Sequence, residues 1–204
     1  MKTIHCHCGE NFENDFPDDI DLDRQPELFD DILSGRFMNL ICPHCGQELK
    51  PEFPVRIIQG SRNLDLFYIP ELERSKMLMG KLPYSLPEVN RVVIGYPELI
   101  EKITIFELDL DDRIIEILKY YLLKPALEIA DDEKEIRILF KDRTQNELVF
   151  HLEGIRDEEI GVTKLPVDTY NKALLNLEET INKEPFSILL TPPYVSLNKI
   201  YQEE

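Results

Sequence analysis

The sequence predicts an α+β protein, with an N-terminal zinc ribbon that carries a short helical insert, followed by a mixed region of helices and antiparallel strands. Two tight cysteine pairs near the N-terminus indicate the ribbon. Further along, two stretches repeat apolar residues with the helical period, and two others alternate apolar and polar residues. We therefore expect a zinc-ribbon module with an acidic helical insert over residues 1–60 and an α+β domain over residues 61–204.

Short strands are predicted around both cysteine pairs of the ribbon. They cover residues 2–6, 11–16, 37–41 and 48–58, and the last is interpreted as an edge strand because it contains Pro51 and Pro54. A helix is predicted over residues 26–33, between the pairs. Pro26 suits its first turn, and Gly35 suits a left-handed residue after its end. The acidic insert, residues 10–31, thus carries one short helix.

Residues 61–204 begin with predicted strands at 65–69 and 91–94, separated by a helix ending near residue 79 and a loop at 81–90. The strongest helical patterns cover residues 97–108 and 111–123. In the helix over 111–123, we expect Tyr121 to lie on the buried face. We also expect Pro125 to end that helix. A hairpin is predicted over residues 135–153 and another helix over 168–181. The tail, residues 185–201, contains one strand-like run and a turn at Pro192-Pro193.

Composition limits the classes of partner and location. Acidic side chains number 40 against 23 basic ones, so the net charge is −17 over 204 residues. Such a charge disfavours nucleic acid and favours a basic protein partner. No apolar run approaches the roughly 20 residues of a membrane span, and no signal peptide precedes the first cysteine. We therefore expect a cytoplasmic protein, in which reduced cysteines bind metal instead of forming disulfides.

The candidate metal ligands are Cys6, Cys8, Cys42 and Cys45. They form a C-x-C-G motif and a C-P-x-C-G motif, separated by 33 residues between Cys8 and Cys42. Two such pairs can place four thiolates around one Zn²⁺, and the glycine after each pair allows the backbone to turn back beside the sulfurs. We predict one structural zinc ion. Mixed cysteine and histidine ligation, another metal, and no metal remain alternatives.

Two other interpretations of this region are weighed against the zinc site. His5 and His7 alternate with the first cysteines and should point away from them, and His44 lies within the second pair. We interpret these three side chains, and His151 in the predicted hairpin, as surface groups. Cys-Pro-His-Cys also occurs in oxidising thioredoxin-fold enzymes, where a long helix follows the first cysteine. Here a glycine and two prolines follow within nine residues and disfavour that helix.

No catalytic residue is predicted. The acidic pairs 18–19, 30–31, 111–112 and 131–132 are interpreted as solvated surface and helix starts, because the chain has many acids. The sequence contains no P-loop, no G-x-S-x-G, no H-E-x-x-H and no dinucleotide-binding glycine motif.

The motifs around the cysteines resemble the CpXC-domain family of bacterial and archaeal proteins, which has no assigned function. The resemblance is carried by residues 6–9, 23–28, 32–37 and 42–46, then by 91–93, 99–103 and 110–113 with Glu116 and Lys119. It covers roughly residues 1–125. It implies a metal-binding ribbon with an attached helical part, and it implies no activity.

Two hypotheses of function follow. The first is a non-catalytic protein-interaction or regulatory module with a structural zinc, because four thiolates leave zinc no open coordination position. The alternative is an enzyme with a structural zinc and a pocket somewhere in residues 61–204. A deep pocket with converging polar groups would favour the enzyme.

Overall fold

A computed structural model describes residues 1–130, 136–156 and 158–202 of the chain. The chain is a mixed α and β structure that separates into two compact units, Met1–Leu99 and Ile100–Glu204. The boundary that we predicted between residues 60 and 61 falls inside the first unit. The reason is that strands on either side of that boundary, Val55–Gln59 and Leu64–Ile69, pair with each other.

The first unit is built from short strands and two helices. Its strands are β1 (Lys2–His5), β2 (Asn11–Asn14), β3 (Asp19–Asp21), β4 (Leu40–Ile41), β5 (Glu48–Leu49), β6 (Val55–Gln59), β7 (Leu64–Ile69) and β8 (Arg91–Ile94), and its helices are α1 (Pro26–Leu33) and α2 (Arg74–Leu78). Strands β1 and β2 form one antiparallel hairpin, and β4 and β5 form another. Each hairpin holds one cysteine pair at its turn.

The remaining four strands form one sheet in the order β3-β6-β7-β8. The interpretation of residues 48–58 as an edge strand is wrong, because β6 lies between β3 and β7 and only β5 precedes the prolines. Pro51 and Pro54 lie in the connection between β5 and β6, where their missing N–H groups interrupt no ladder. The sheet is also not purely antiparallel: β3 pairs parallel with β6, and β7 pairs parallel with β8.

Helix α1 confirms the predicted range of 26–33 at both ends. Pro26 lies in its first turn, and Gly35 has a φ of +78°. The N–H of Gly35 donates to the carbonyl of Ile32, and that of Arg36 donates to the carbonyl of Asp31, which satisfies two carbonyls of the last turn. The chain beyond differs from the predicted strand over 37–41. It turns at Met38, which has a φ of 65°, and only Leu40–Ile41 is extended.

The second unit contains an antiparallel sheet of three strands packed with helices. Helix α3 (Gly95–Glu107) contains the division between the units, and α4 (Asp112–Ile129), β9 (Arg137–Arg143), β10 (Glu147–Arg156), β11 (Glu159–Pro166), α5 (Val167–Leu175), α6 (Leu177–Thr180) and α7 (Phe186–Leu189) follow. The predicted hairpin is confirmed in its described part, with Ile138, Phe140, Leu148 and Phe150 buried on one face. Residue 135, at its predicted start, lies outside the described residues. Strand β11 was not predicted.

The C-terminal elements differ from the predictions in two places. The predicted helix over 168–181 is divided into α5 and α6 at Asn176. The strand-like run in the tail belongs to helix α7, whose residues Phe186 and Leu189 are buried in the core of the second unit. Apolar runs of three or four residues do not distinguish a strand from a buried helical turn. No helix within the described ranges is long and apolar enough to cross a membrane.

Helix α4 continues to Ile129, so the prediction that Pro125 ends it is wrong. The turn around Pro125 is held by its neighbours, because Leu123 and Ala126 are 7% and 1% exposed in the core. Pro125 faces outward. Tyr121 also faces outward and is 62% exposed, so the expectation that it lies on the buried face is wrong. Packing of the buried side of the helix therefore outweighs the lost backbone hydrogen bond.

Replacing Pro125 with alanine should raise the free energy of unfolding by about 1–2 kcal/mol, because it restores an N–H donor and removes a steric conflict in the helix interior. Pro26→Ala is the matched control, since Pro26 lies in the first turn of α1, where an N–H has no partner within the helix. Urea denaturation of both variants measures the effect. Equal changes in the two variants would contradict the explanation.

Gly95 is the position where an added side chain should be most costly. Its φ is +76°, and a Cβ there would overlap Oε2 of Glu71, which is itself hydrogen-bonded to Arg74. Gly95→Ala should lower the free energy of unfolding by about 3 kcal/mol. Gly80→Ala isolates the backbone part, because Gly80 has a φ of +64° and no atom within 4 Å of the new Cβ, and it should cost about 1–2 kcal/mol. Equal losses measured by denaturation would exclude the contact with Glu71.

Candidate metal centre

The two cysteine pairs lie in hairpin turns that are closed in the same way. In the first turn, the N–H of Cys6 donates to the carbonyl of Glu10 and that of Gly9 donates to Cys6, both at 3.0 Å. In the second, the N–H of Cys42 donates to Gln47 and that of Gly46 to Cys42, both at 2.9 Å. The C-x-C turn is thus one residue shorter than the C-P-x-C turn, but both turns are closed by the same two kinds of backbone hydrogen bond. Both glycines have positive φ, +93° for Gly9 and +75° for Gly46.

The four sulfurs of Cys6, Cys8, Cys42 and Cys45 converge on one point. All lie within 4.8 Å of one another, and the Sγ atoms are 3.6 Å apart between Cys6 and Cys45 and 4.0 Å apart between Cys8 and Cys42. Four thiolates bound tetrahedrally to zinc at about 2.3 Å would be about 3.8 Å apart. The four cysteines are free thiols and could hold a metal ion in this arrangement.

One cysteine of each pair faces a small apolar core, and the other faces solvent. Cys6 and Cys42 are 7% and 1% exposed and pack with Ile4 and Leu49, whereas Cys8 and Cys45 are exposed. Four partly buried side chains complete this cluster, namely Phe12, Phe16, Leu40 and Phe53. A cluster of this size contributes little to the stability of the two hairpins by itself.

Backbone N–H groups point at the sulfurs and affect their protonation. The N–H groups of Cys45 and His44 lower the pKa of Cys42 to about 7, against the effect of burial. At Cys6, the N–H of Cys8 lowers the pKa, but burial and the neighbouring thiols together raise it to about 12. Because thiolates are the form that binds metal, N–H donors at these sulfurs favour binding.

The histidines near the site lie outside the cluster of converging ligands. His5, His7 and His44 are exposed, and Nδ1 of His5 lies 2.7 Å from Oδ1 of Asn11 on the neighbouring strand. Within the described ranges, the group of side chains that could hold a metal contains only the four cysteines. His151 is half-buried in β10 rather than on the surface, and burial lowers its pKa.

The geometry after Cys45 also excludes the thioredoxin-like interpretation. The chain turns at Gly46 and enters strand β5, so the second cysteine pair lies between two strands and not at the N-terminus of a helix. A helix N-terminus is what lowers the pKa of the reactive thiol in those enzymes. The sequence argument from Gly46 and the two prolines is therefore confirmed.

The sequence analysis missed a set of buried charged side chains. Asp111 accepts a hydrogen bond from the N–H of Arg113 at the start of α4, as predicted, but the next residue, Asp112, is 2% exposed and not solvated. Glu98, Glu101, Lys102, Glu116 and Lys119 are also buried. The local pattern gave no signal for them, because Asp112, Glu116 and Lys119 lie on the face of α4 opposite the apolar residues at 114–115 and 117–118, as the polar residues of a surface helix would.

The other acidic pairs behave as predicted where the structure describes them. Asp18, Asp19 and Asp30 are exposed, and Asp31 is half-buried and paired with Arg36. The pair at 131–132 lies outside the described residues. The C-terminal half of α4 and Ile200 line an open cavity of about 650 Å³ in the second unit, whose walls are mainly apolar and whose charged side chains, Lys124 and Glu128, are exposed.

Comparison with known proteins agrees with the motifs. The family described as CpXC protein matches residues 4–119, more than half of the chain. An uncharacterised protein of Treponema pallidum (strain Nichols) is 26% identical over 221 aligned residues, which cover 100% of both chains. No solved structure matches the chain. Both cysteine pairs and all of the buried charges named above lie within the matched residues.

Proposed function

The chain belongs to the CpXC protein family, and from the convergence of its four cysteine sulfurs we propose that it is a non-catalytic protein-interaction or regulatory module built on one structural Zn²⁺. Cys6, Cys8, Cys42 and Cys45 would bind the ion, and the two hairpins would form a zinc ribbon around it. The single observation that carries the proposal is the set of four sulfurs within 4.8 Å of one another.

Zinc is proposed because the donor set suits it. Four thiolates in a tetrahedral arrangement are typical of structural zinc sites, and harder cations such as Mg²⁺ and Ca²⁺ bind oxygen ligands instead. With four protein ligands the ion has no position left for water or substrate, so it would stabilise the ribbon without reacting. Free thiols in all four positions fit a reducing compartment, and we propose the cytoplasm.

The acidic insert is proposed as the surface that meets a partner. Eight of its acidic residues are exposed, namely Glu10, Glu13, Asp15, Asp18, Asp19, Asp23, Glu27 and Asp30. Only two of these eight are paired with a nearby cation in the described structure: Asp15 lies near the N-terminal amine, and Asp18 lies near Lys2. A surface of this charge attracts a basic protein and repels the phosphates of nucleic acid.

The partner proposal is tested by immobilising the chain in an extract of its host and identifying the retained proteins. A variant with Asp18→Asn, Asp19→Asn and Asp30→Asn should lose them, whereas neutralising the exposed Glu178, Glu179 and Glu184 of the second unit should not. Retention of the same proteins by both variants, or of no specific protein by the wild type, would contradict a partner at the acidic insert. A gel shift with single- and double-stranded nucleic acid at low salt should be negative.

A further inference from the structure

Five charged side chains of helices α3 and α4 lie in the interior of the second unit. They are Glu101, Lys102, Asp112, Glu116 and Lys119, and each is between 1% and 3% exposed. Burying a charge is unfavourable unless an opposite charge and further hydrogen bonds compensate for the lost water. The partners of these five side chains therefore decide whether the unit is stable.

Part of the compensation comes from within the cluster itself. Nζ of Lys119 lies 2.9 Å from Oε2 of Glu101 and 3.1 Å from Oε1 of Glu116. Nζ of Lys102 lies 2.8 Å from Oδ2 of Asp112. Each lysine thus has a carboxylate partner, but each glutamate has a second oxygen that still needs a donor.

The remaining hydrogen bonds go to main-chain groups from distant parts of the chain. The N–H of Phe140 in β9 donates to Oε1 of Glu101 at 2.6 Å. The N–H of Leu197 donates to Oε2 of Glu116 at 2.7 Å, and Nζ of Lys102 donates to the carbonyl of Val195 at 3.1 Å. Two of these three groups belong to one short stretch, residues 194–197, in which every side chain is at most 3% exposed.

The buried charges and their main-chain partners lie on opposite sides of residue 119, where the family match ends. All five charged side chains lie at or before residue 119, where the match ends, and all three main-chain partners lie beyond it. The matched helices therefore contain buried charges to which the unmatched part of the chain supplies hydrogen bonds. Because the partners are N–H and C=O groups, these hydrogen bonds themselves do not depend on which side chains the stretch carries.

We propose that the buried charges of α3 and α4 form a docking site for the main chain of residues 194–197, the C-terminal clasp, and that the second unit is folded only while the clasp is docked. Release of the clasp would leave Glu116 and Lys102 without those partners, so it would open the whole unit rather than fray its end. Lys199 reinforces the docked state just beyond the clasp, where its Nζ donates to the carbonyls of Ile188 and Thr191.

Amide hydrogen exchange of the full-length protein, resolved by residue, tests the proposal. In the wild type, the Leu197 amide should exchange within about tenfold of the Phe140 amide, because both would exchange only when the unit opens. Exchange of Leu197 more than a hundredfold faster than Phe140 would overturn the proposal.

Variants test whether the clasp and the core strands open together. Lys102→Met, which removes the donor to the carbonyl of Val195, should accelerate exchange at Leu197 and at Phe150 by about the same factor, because release of the clasp opens the whole unit. Lys172→Met, at an exposed lysine of α5, should change neither. Acceleration at Leu197 at least tenfold greater than at Phe150 in Lys102→Met would show that the clasp opens without the unit and would contradict the proposal. If that variant does not fold, Glu116→Gln, which preserves size, replaces it under the same criterion.

Discussion

Replacing Cys42 with serine is expected to abolish metal binding and to unfold both hairpins of the ribbon. A structural zinc site contributes on the order of 10 kcal/mol to the folding of the segment that binds it. The apolar cluster beneath this site has four buried members, two of which are the candidate ligands Cys6 and Cys42, so it cannot substitute for the ion. We expect one zinc per chain in the wild type by elemental analysis and none in Cys42→Ser, with loss of the dispersed amide signals of residues 1–50.

His44→Ala is the matched control for Cys42→Ser. His44 lies in the same turn, is exposed, and stands outside the group of converging sulfurs. The variant should retain one zinc per chain and the wild-type spectrum of the ribbon. Chelation of the wild type should reproduce the effect of Cys42→Ser, and added Zn²⁺ should reverse it. A metal-free wild-type protein with folded hairpins would show that the four sulfurs are not a structural metal site.

The second large effect is expected at Lys119, the cation between two buried carboxylates. Lys119→Met leaves Glu101 and Glu116 buried without that cation and should lower the free energy of unfolding by about 3–5 kcal/mol. Lys183→Met is the control, because its ion pair with Glu179 is exposed and should contribute at most about 1 kcal/mol. Denaturation by urea, followed by circular dichroism, measures both variants.

The pH dependence of Lys119→Met gives an independent check. Burial raises the pKa of Glu101 above its usual value even beside Lys119, and loss of the lysine removes the largest influence that lowers it. A carboxyl whose pKa is higher in the folded than in the unfolded state stabilises the fold at low pH, and this contribution is lost as the pH rises through the folded pKa. The deficit of Lys119→Met should therefore shrink as the pH is lowered towards the folded pKa. A deficit that grows on acidification would contradict ionised, buried carboxylates.

Local elements were predicted well where the signals for them are local. The bounds of α1 follow from Pro26 and Gly35, because each fixes the backbone at one end of the helix. The candidate metal site could also be predicted from the sequence, because each cysteine pair and its glycine form one turn whose geometry depends on a few neighbouring residues. The convergence of the two turns was expected because four thiolates need a common ion.

Predictions failed where distant residues decide the outcome. Pro125 should have ended α4 by its own chemistry, but Leu123 and Ala126 are packed in the core and hold the helix past it. Strand β6 is central only because β3, a three-residue strand that has no pattern of its own, pairs with it from the other side. The placement of the division after Leu99 likewise depends on pairing of β6 and β7 across residues 60–63.

By itself, the sequence determined the mixed helix and strand composition, the convergent cysteines and the family of this protein, because spacing, capping residues and periodicity act over a few residues. Tertiary structure alone decided which charges are buried. Asp111 and Asp112 are adjacent and chemically identical, yet one caps α4 in partial contact with solvent and the other is paired with Lys102 in the interior. The difference arises because burial of a charge depends on partners supplied by the fold, and those of the buried cluster come from residues as distant as Val195 and Leu197.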